Sequence, residues 1–275
     1  MRAKRKKRTS TNRRKRIYIL PNLITSASLF CGFFSIIAAI QGRYEAAAIA
    51  IFISAVFDGL DGRIARYTKT ASHFGTEYDS LSDLVAFGAA PAILAFLWAL
   101  EPFGRLGWLA AFMFVICGAL RLARFNVEKA STSSDYFKGL PIPAAACFIA
   151  ATILFTGALE VGIVEKKDII IIVMIYVLSF LMVSSVNFPS FKEFNIRNQK
   201  PFNVLVAFVL ISIVIAYKPK ILLFLILLAY IVSGPVITIY HLNSRRSREK
   251  SGDPVPEESK DKEVDASIND QSVIR

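Results

Sequence analysis

Cysteine is scarce and scattered. Cys31, Cys117 and Cys147 each stand alone in an apolar segment. Neither a disulfide framework nor a thiolate metal set is expected, and the three read as small packing residues. A cleavable signal peptide is not expected either, because the chain opens on a long basic arm with no cleavage site behind it. No internal repeat is strong enough to argue an inverted-repeat transporter. Acid is also in short supply, 21 Asp and Glu against 33 Lys and Arg. That shortage makes the placement of the few acids informative.

What the chain has is apolar length. Hydrophobic residues make up 54% of it, and they recur in runs long enough to span a bilayer. The fold expected is an all-α, polytopic membrane helical bundle. Eight spans are read, at 18–41, 44–66, 75–99, 105–126, 141–159, 168–188, 201–217 and 220–240. The domain plan is a basic arm (1–16), a membrane domain (17–240) and a polar tail (241–275) expected to be disordered.

The charges are distributed unevenly. With the N-terminus placed inside, 27 of the 33 Lys and Arg fall on the cytoplasmic side of this plan. Such asymmetry puts both termini in the cytoplasm, and the longer, more polar loops put the active face there too. The arm Arg2–Arg16 directly precedes a membrane helix. It is expected to contact anionic lipid headgroups rather than nucleic acid.

Two aspartate-bearing stretches break the apolar pattern: Asp58-x-x-Asp61-Gly62-x-x-Ala65-Arg66 and Gly75-x-x-x-Asp79-x-x-x-Asp83. An ionisable side chain inside a membrane segment is costly and marks a functional site by default. At 100° per residue, Asp58, Asp61, Gly62 and Ala65 share an arc of about 100°, and Asp79 and Asp83 share a stripe with Gly75. The two helices run antiparallel around a turn at 67–74, so the four carboxylates can meet at similar depth. Four carboxylates together repel one another unless cations lie between them, and hard divalent cations favour oxygen ligands. Carboxylates, magnesium and an arginine such as Arg66 are the usual parts for phosphoryl transfer. Two alternatives stand beside this: structural salt bridges from Asp58 to Arg63 or Arg66, and a cation pathway through the bundle.

The spacing Asp58-x2-Asp61-Gly62-x2-Ala65-Arg66-x8-Gly75-x3-Asp79-x3-Asp83 resembles, at all eight fixed positions, the signature of the CDP-alcohol phosphatidyltransferase family. The resemblance implies a six-helix catalytic core, a homodimer, and two divalent cations, Mg²⁺ or Mn²⁺. It implies transfer of a substituted phosphate from a CDP-linked donor to an alcohol, with release of CMP. By position, Asp58, Asp61 and Asp79 look like metal ligands, and Asp83 like a shared ligand and the catalytic base. Gly62, Ala65, Arg66 and Gly75 look like parts of the CDP site. Pro21-Asn22-x-x-Thr25 resembles the nucleotide-side motif of the family, which adds Asn22 and Thr25.

Arg121-Leu-Ala-Arg124-Phe125-Asn126 and Lys138-Gly139-Leu140-Pro141-Ile142-Pro143 resemble the integral-membrane, serine-accepting branch of the family. The chemistry agrees. Serine carries a carboxylate, and Arg121 and Arg124, three residues apart on one helix, could hold it by a bidentate fork. The other reading is that both arginines snorkel to lipid phosphates. Gly139–Pro143 also suits a rigid start to the fifth helix. Lys192 and Arg197 suit a topogenic loop, and His73 an ordinary turn residue. The expected reaction joins CDP-diacylglycerol and L-serine at the inner-membrane surface. A sibling transferase acting on glycerol 3-phosphate or an inositol phosphate is the nearest alternative, and a cation-coupled transporter the distant one.

Overall fold

The computed structural model describes residues 5–68, 72–131, 137–158, 169–188 and 218–251. Within them the protein is an all-α bundle. Its helices are α1 (Arg5–Ile40), α2 (Tyr44–Tyr67), α3 (His73–Phe103), α4 (Arg105–Ser131), α5 (Ile142–Ala158), α6 (Ile169–Val183) and α7 (Pro219–Ser251). Two short strands, β1 (Phe137–Lys138) and β2 (Asn187–Phe188), pair antiparallel, with Phe137 opposite Phe188. The expected helix at 201–217 lies outside the described residues, as do Lys192 and Arg197.

Some limits differ from the sequence reading. Helix α1 starts at Arg5, thirteen residues before the expected 18. Lys and Arg are good helix formers, and no glycine interrupts residues 5–20. Helix α3 is not uniform. It passes through π-helical turns at Leu84–Ala89 and Phe96–Leu100, with Pro91 in the α-helical piece between them. A proline removes one backbone donor, and a widened turn is one way a helix absorbs that loss. Helix α7 runs on to Ser251 rather than stopping at 240.

Among the described residues, four helices have stretches long and apolar enough to cross a membrane: Pro21–Ile40, His73–Phe103, Arg105–Val127 and Pro219–Thr238. Their outward residues are large and apolar, such as Phe30, Phe112 and Val232, as a lipid-facing surface requires. Helices α5 and α6, with 17 and 15 residues, are shorter. Helix α5 is buried from Ala145 to Leu154, so other helices rather than lipid surround it.

Small residues bring the first helices together. Ser28 and Ser54 share a hydroxyl contact of 2.8 Å, and each also donates to the other's carbonyl, at 3.1 and 2.9 Å. Ser35 donates to the Ala47 carbonyl at 2.9 Å. Ala38, Ala39, Ala47 and Ala48 fill the same seam. A Cβ on Gly32 would fall 2.5 Å from the Cα of Ala86, so α1 meets α3 almost backbone to backbone. These contacts fix α1, α2 and α3 relative to one another, and the aspartates lie on that frame.

The described residues divide into two units, one ending at Pro235 and the other beginning at Val236. The boundary falls at Pro235 inside α7. The second unit takes in the distal part of that helix.

Candidate active site

Helix α2 approaches its end through Asp58 and Asp61, and α3 sets off from Ser72. The Ser72 side chain caps α3 by accepting from the Gly75 N–H at 3.0 Å. Asp79 follows on the second turn and Asp83 on the third. One carboxylate oxygen each from Asp58, Asp61 and Asp79 falls within 4.8 Å of the others. The Asp83 carboxyl completes the group, lying against that of Asp58. Two carboxyls in such contact share either a proton or a cation.

Helix α1 closes one side. Thr25 donates its hydroxyl to Oδ2 of Asp61 at 2.9 Å, and both side chains are 4% exposed. The same hydroxyl lies 3.1 Å from the Pro21 carbonyl, and Ser82 donates to the Thr25 carbonyl at 3.1 Å. Asn22 faces Gly75, its Oδ1 being 3.5 Å from where a Cβ on Gly75 would stand. Gly59 and Gly62 have no heavy atom within 4 Å of a hypothetical Cβ, and Gly62, one turn after Asp58, leaves open space on that side of α2.

Helix α4 closes another side. Asn126 donates to the Ser80 hydroxyl at 2.9 Å, tying α4 to α3. Arg121 is half-buried within electrostatic reach of Asp83. Its Nε is buried with no hydrogen-bond partner among the described residues. Arg124 is half-buried one turn further on.

The expected residues Asn22, Thr25, Asp58, Asp61, Gly62, Gly75, Asp79, Asp83 and Arg121 therefore gather at one end of the bundle. Ala65 and Arg66 belong to α2, but their side chains lie outside the described residues, as does that of Lys138. Arg63, one of the two salt-bridge partners considered for Asp58, is exposed, and no ion pair joins it to Asp58 among the described residues. His73 is exposed at the first position of α3. The cysteines are free.

Sequence reasoning missed Tyr78, whose hydroxyl contacts that of Ser26 at 2.9 Å. Tyr78 lies within the aspartate motif, where its position could have marked it.

The group suits a divalent cation. A magnesium-sized ion sits about 2.1 Å from each oxygen, so it spans oxygen pairs up to about 4.2 Å apart. Oxygens already within 4.8 Å need to close only slightly. Carboxylates on rigid helices, a buried threonine orienting one of them, and open space beside them make a place where a charged phosphate could be held next to a hydroxyl.

Comparison with known proteins agrees with this geometry. Residues 18–185 match the family described as CDP-alcohol phosphatidyltransferase. A Helicobacter pylori protein named CDP-diacylglycerol–serine O-phosphatidyltransferase is 41% identical over 179 residues, 64% of this chain and 74% of that one. A Bacillus subtilis protein of the same name is 34% identical over 180 residues, 65% of this chain and 94% of its own length. An archaetidylserine synthase of Methanothermobacter thermautotrophicus is 39% identical over 172 residues, 62% and 69% of the two chains. With a family match running through the aspartate motif and the helices that carry it, the chain belongs to the CDP-alcohol phosphatidyltransferases.

Proposed function

We propose that this membrane enzyme transfers the phosphatidyl group of CDP-diacylglycerol to L-serine, giving phosphatidylserine and CMP. The observation that carries the reading is the meeting of Asp58, Asp61, Asp79 and Asp83 at one end of the bundle, with Arg121 beside Asp83. The names of the relatives support donor and acceptor.

Asp58, Asp61 and Asp79 would hold the metal, with Asp83 as a shared ligand. Two divalent cations, Mg²⁺ or Mn²⁺, supply charge neutralisation for the diphosphate and the departing CMP when bound. Thr25 keeps Asp61 oriented through its hydrogen bond. Gly62 leaves room for the nucleotide, with Asn22, Gly75, Ala65 and Arg66 around it. Arg121, with Arg124 nearby, holds the serine carboxylate. Asp83 takes the proton of the serine hydroxyl as its oxygen bonds to the phosphorus bearing diacylglycerol. The bond from that phosphorus to the CMP oxygen breaks, and CMP leaves.

The charge asymmetry supports a cytoplasmic active end, with both termini on that side of the cell membrane. The basic N-terminal arm rests on anionic lipids, and the working unit is a homodimer. The domain plan stays an arm at 1–16, a catalytic membrane domain at 17–240 and a tail at 241–275. The test is CMP release from CDP-diacylglycerol by the purified protein with a panel of acceptors. Serine should support release. Glycerol 3-phosphate and inositol phosphate should not, and a preference for either of them would overturn the acceptor.

A further inference from the structure

The serine-transfer reading gives partners to two polar groups of the acceptor, the carboxylate at Arg121 and Arg124 and the hydroxyl at Asp83. The ammonium is left over. It can donate but not accept, and divalent cations held by the aspartates would repel it. It therefore needs an oxygen beside the cluster rather than within it.

Helix α4 offers one. Helices α3 and α4 are joined at Gly104, which has φ +55°. Gly107 lies against the Leu100 carbonyl at the joined end, and Asn126 meets Ser80 at the far end. The two contacts share one antiparallel register. In that register Ala123 stands level with Asp83, so Asn126 is one turn from the level of the proposed base. Ser80 follows Asp79 directly in sequence. It lies about 4.5 Å along the axis and about 60° around the helix from Asp83. Contact with Ser80 thus sets Asn126 at the edge of the stripe that carries Asp79 and Asp83.

The hydrogen bonds fix which end of the amide faces which way. Ser80 has one hydroxyl proton and donates it to the Thr76 carbonyl at 3.0 Å. Its oxygen can then only accept, so the group that meets it at 2.9 Å is the Asn126 NH2. The Asn126 carbonyl oxygen is turned away from Ser80 and accepts no hydrogen bond among the described residues. Asn126 and Ser80 are both half-buried, so a small solute can reach that oxygen. We propose that Asn126 is a specificity-determining residue for the acceptor: its carbonyl oxygen accepts a hydrogen bond from the ammonium of an amino alcohol whose hydroxyl lies at Asp83. The inference rests on the serine-transfer reading above. It adds the group by which the enzyme tells serine from an alcohol without an amine.

The test compares serine with 3-hydroxypropionate, which is serine without its amino group, on the full chain in CDP-diacylglycerol micelles. Serine KM is read from CMP release, and 3-hydroxypropionate binding from its competition against serine. Asn126→Ala should raise the serine KM about tenfold, as expected when a hydrogen bond to a charged group is lost. Binding of 3-hydroxypropionate should stay unchanged. So should the KM for CDP-diacylglycerol, which also shows that the variant is folded. If Asn126 only ties α4 to α3, the two compounds weaken alike. That result, or an unchanged serine KM, overturns the assignment. Asn126→Asp keeps an oxygen for the ammonium and serves if Asn126→Ala does not fold. It should hold the wild-type preference for serine over 3-hydroxypropionate, and loss of that preference also overturns the assignment. The serine reading fails separately, if the wild type releases no CMP with serine, and the role of Asn126 falls with it.

Discussion

Replacing Thr25 with Val separates two roles that its motif position leaves mixed. Position alone assigns Thr25 to the nucleotide. In the structure its hydroxyl is committed to Asp61, at 2.9 Å, in a spot where both side chains are 4% exposed. Valine keeps the shape and removes the hydroxyl, and the Asp61 oxygen then loses its donor in a place water does not easily reach. A hydrogen bond to a charged group contributes about 1.5–3 kcal/mol. Removing the partner that orients a metal-binding carboxylate typically lowers metal affinity about 10–100-fold. The two figures agree, since about 1.4 kcal/mol corresponds to tenfold. The expected result is therefore a curve of CMP release against Mg²⁺ or Mn²⁺ displaced about 10–100-fold to higher concentration. The rate should recover substantially at saturating metal, with little change in the KM for CDP-diacylglycerol. Thr25→Ser should restore most of the wild-type behaviour. An unmoved metal curve together with a raised donor KM would refute the reasoning and return Thr25 to the nucleotide.

Further outcomes follow from the same geometry. Asp79→Asn should leave a folded protein with less than about a tenth of the wild-type rate even at saturating Mg²⁺, because a ligand of the cluster is lost; retention of most activity would remove Asp79 from the metal site. Asp83→Asn should lower turnover at least about a hundredfold while CDP-diacylglycerol still binds, as loss of a general base does. If donor binding disappears as well, Asp83 is chiefly a ligand. Gly32→Ala should cost about 1–3 kcal/mol by forcing α1 and α3 apart, and thermal unfolding in detergent should show it. An unshifted melt would mean that this seam is slack.

Much of the site was legible because it is written locally. Asp58, Asp61, Asp79 and Asp83 lie on two consecutive helices only a few residues apart in sequence, so helical periodicity alone suggests that they meet. Helix limits at Gly42, where φ is +72°, and at the Ser72 cap were also close to their expected places. The features that escaped notice depend on contacts distant in sequence. The contact between the Phe188 and Tyr230 rings joins residues 42 positions apart, and neither stands out in its stretch of sequence. The two-residue ladder is too short to leave an alternating pattern. The widened turns of α3 follow from how Pro91 is accommodated, which the sequence marks only as a proline. The early start of α1 was missed because a basic arm suggested lipid contact and hid good helix propensity.

The most direct measurement is incorporation of labelled serine into lipid by the purified wild-type protein and by Asp61→Asn, each with CDP-diacylglycerol, in Mn²⁺ and in excess EDTA. The account predicts labelled phosphatidylserine and an equal amount of CMP from the wild type in Mn²⁺. It predicts none in EDTA, recovery when Mn²⁺ is restored, and close to none from the variant under any condition. Full labelling in the chelator, or an Asp61→Asn protein as active as the wild type, would contradict it.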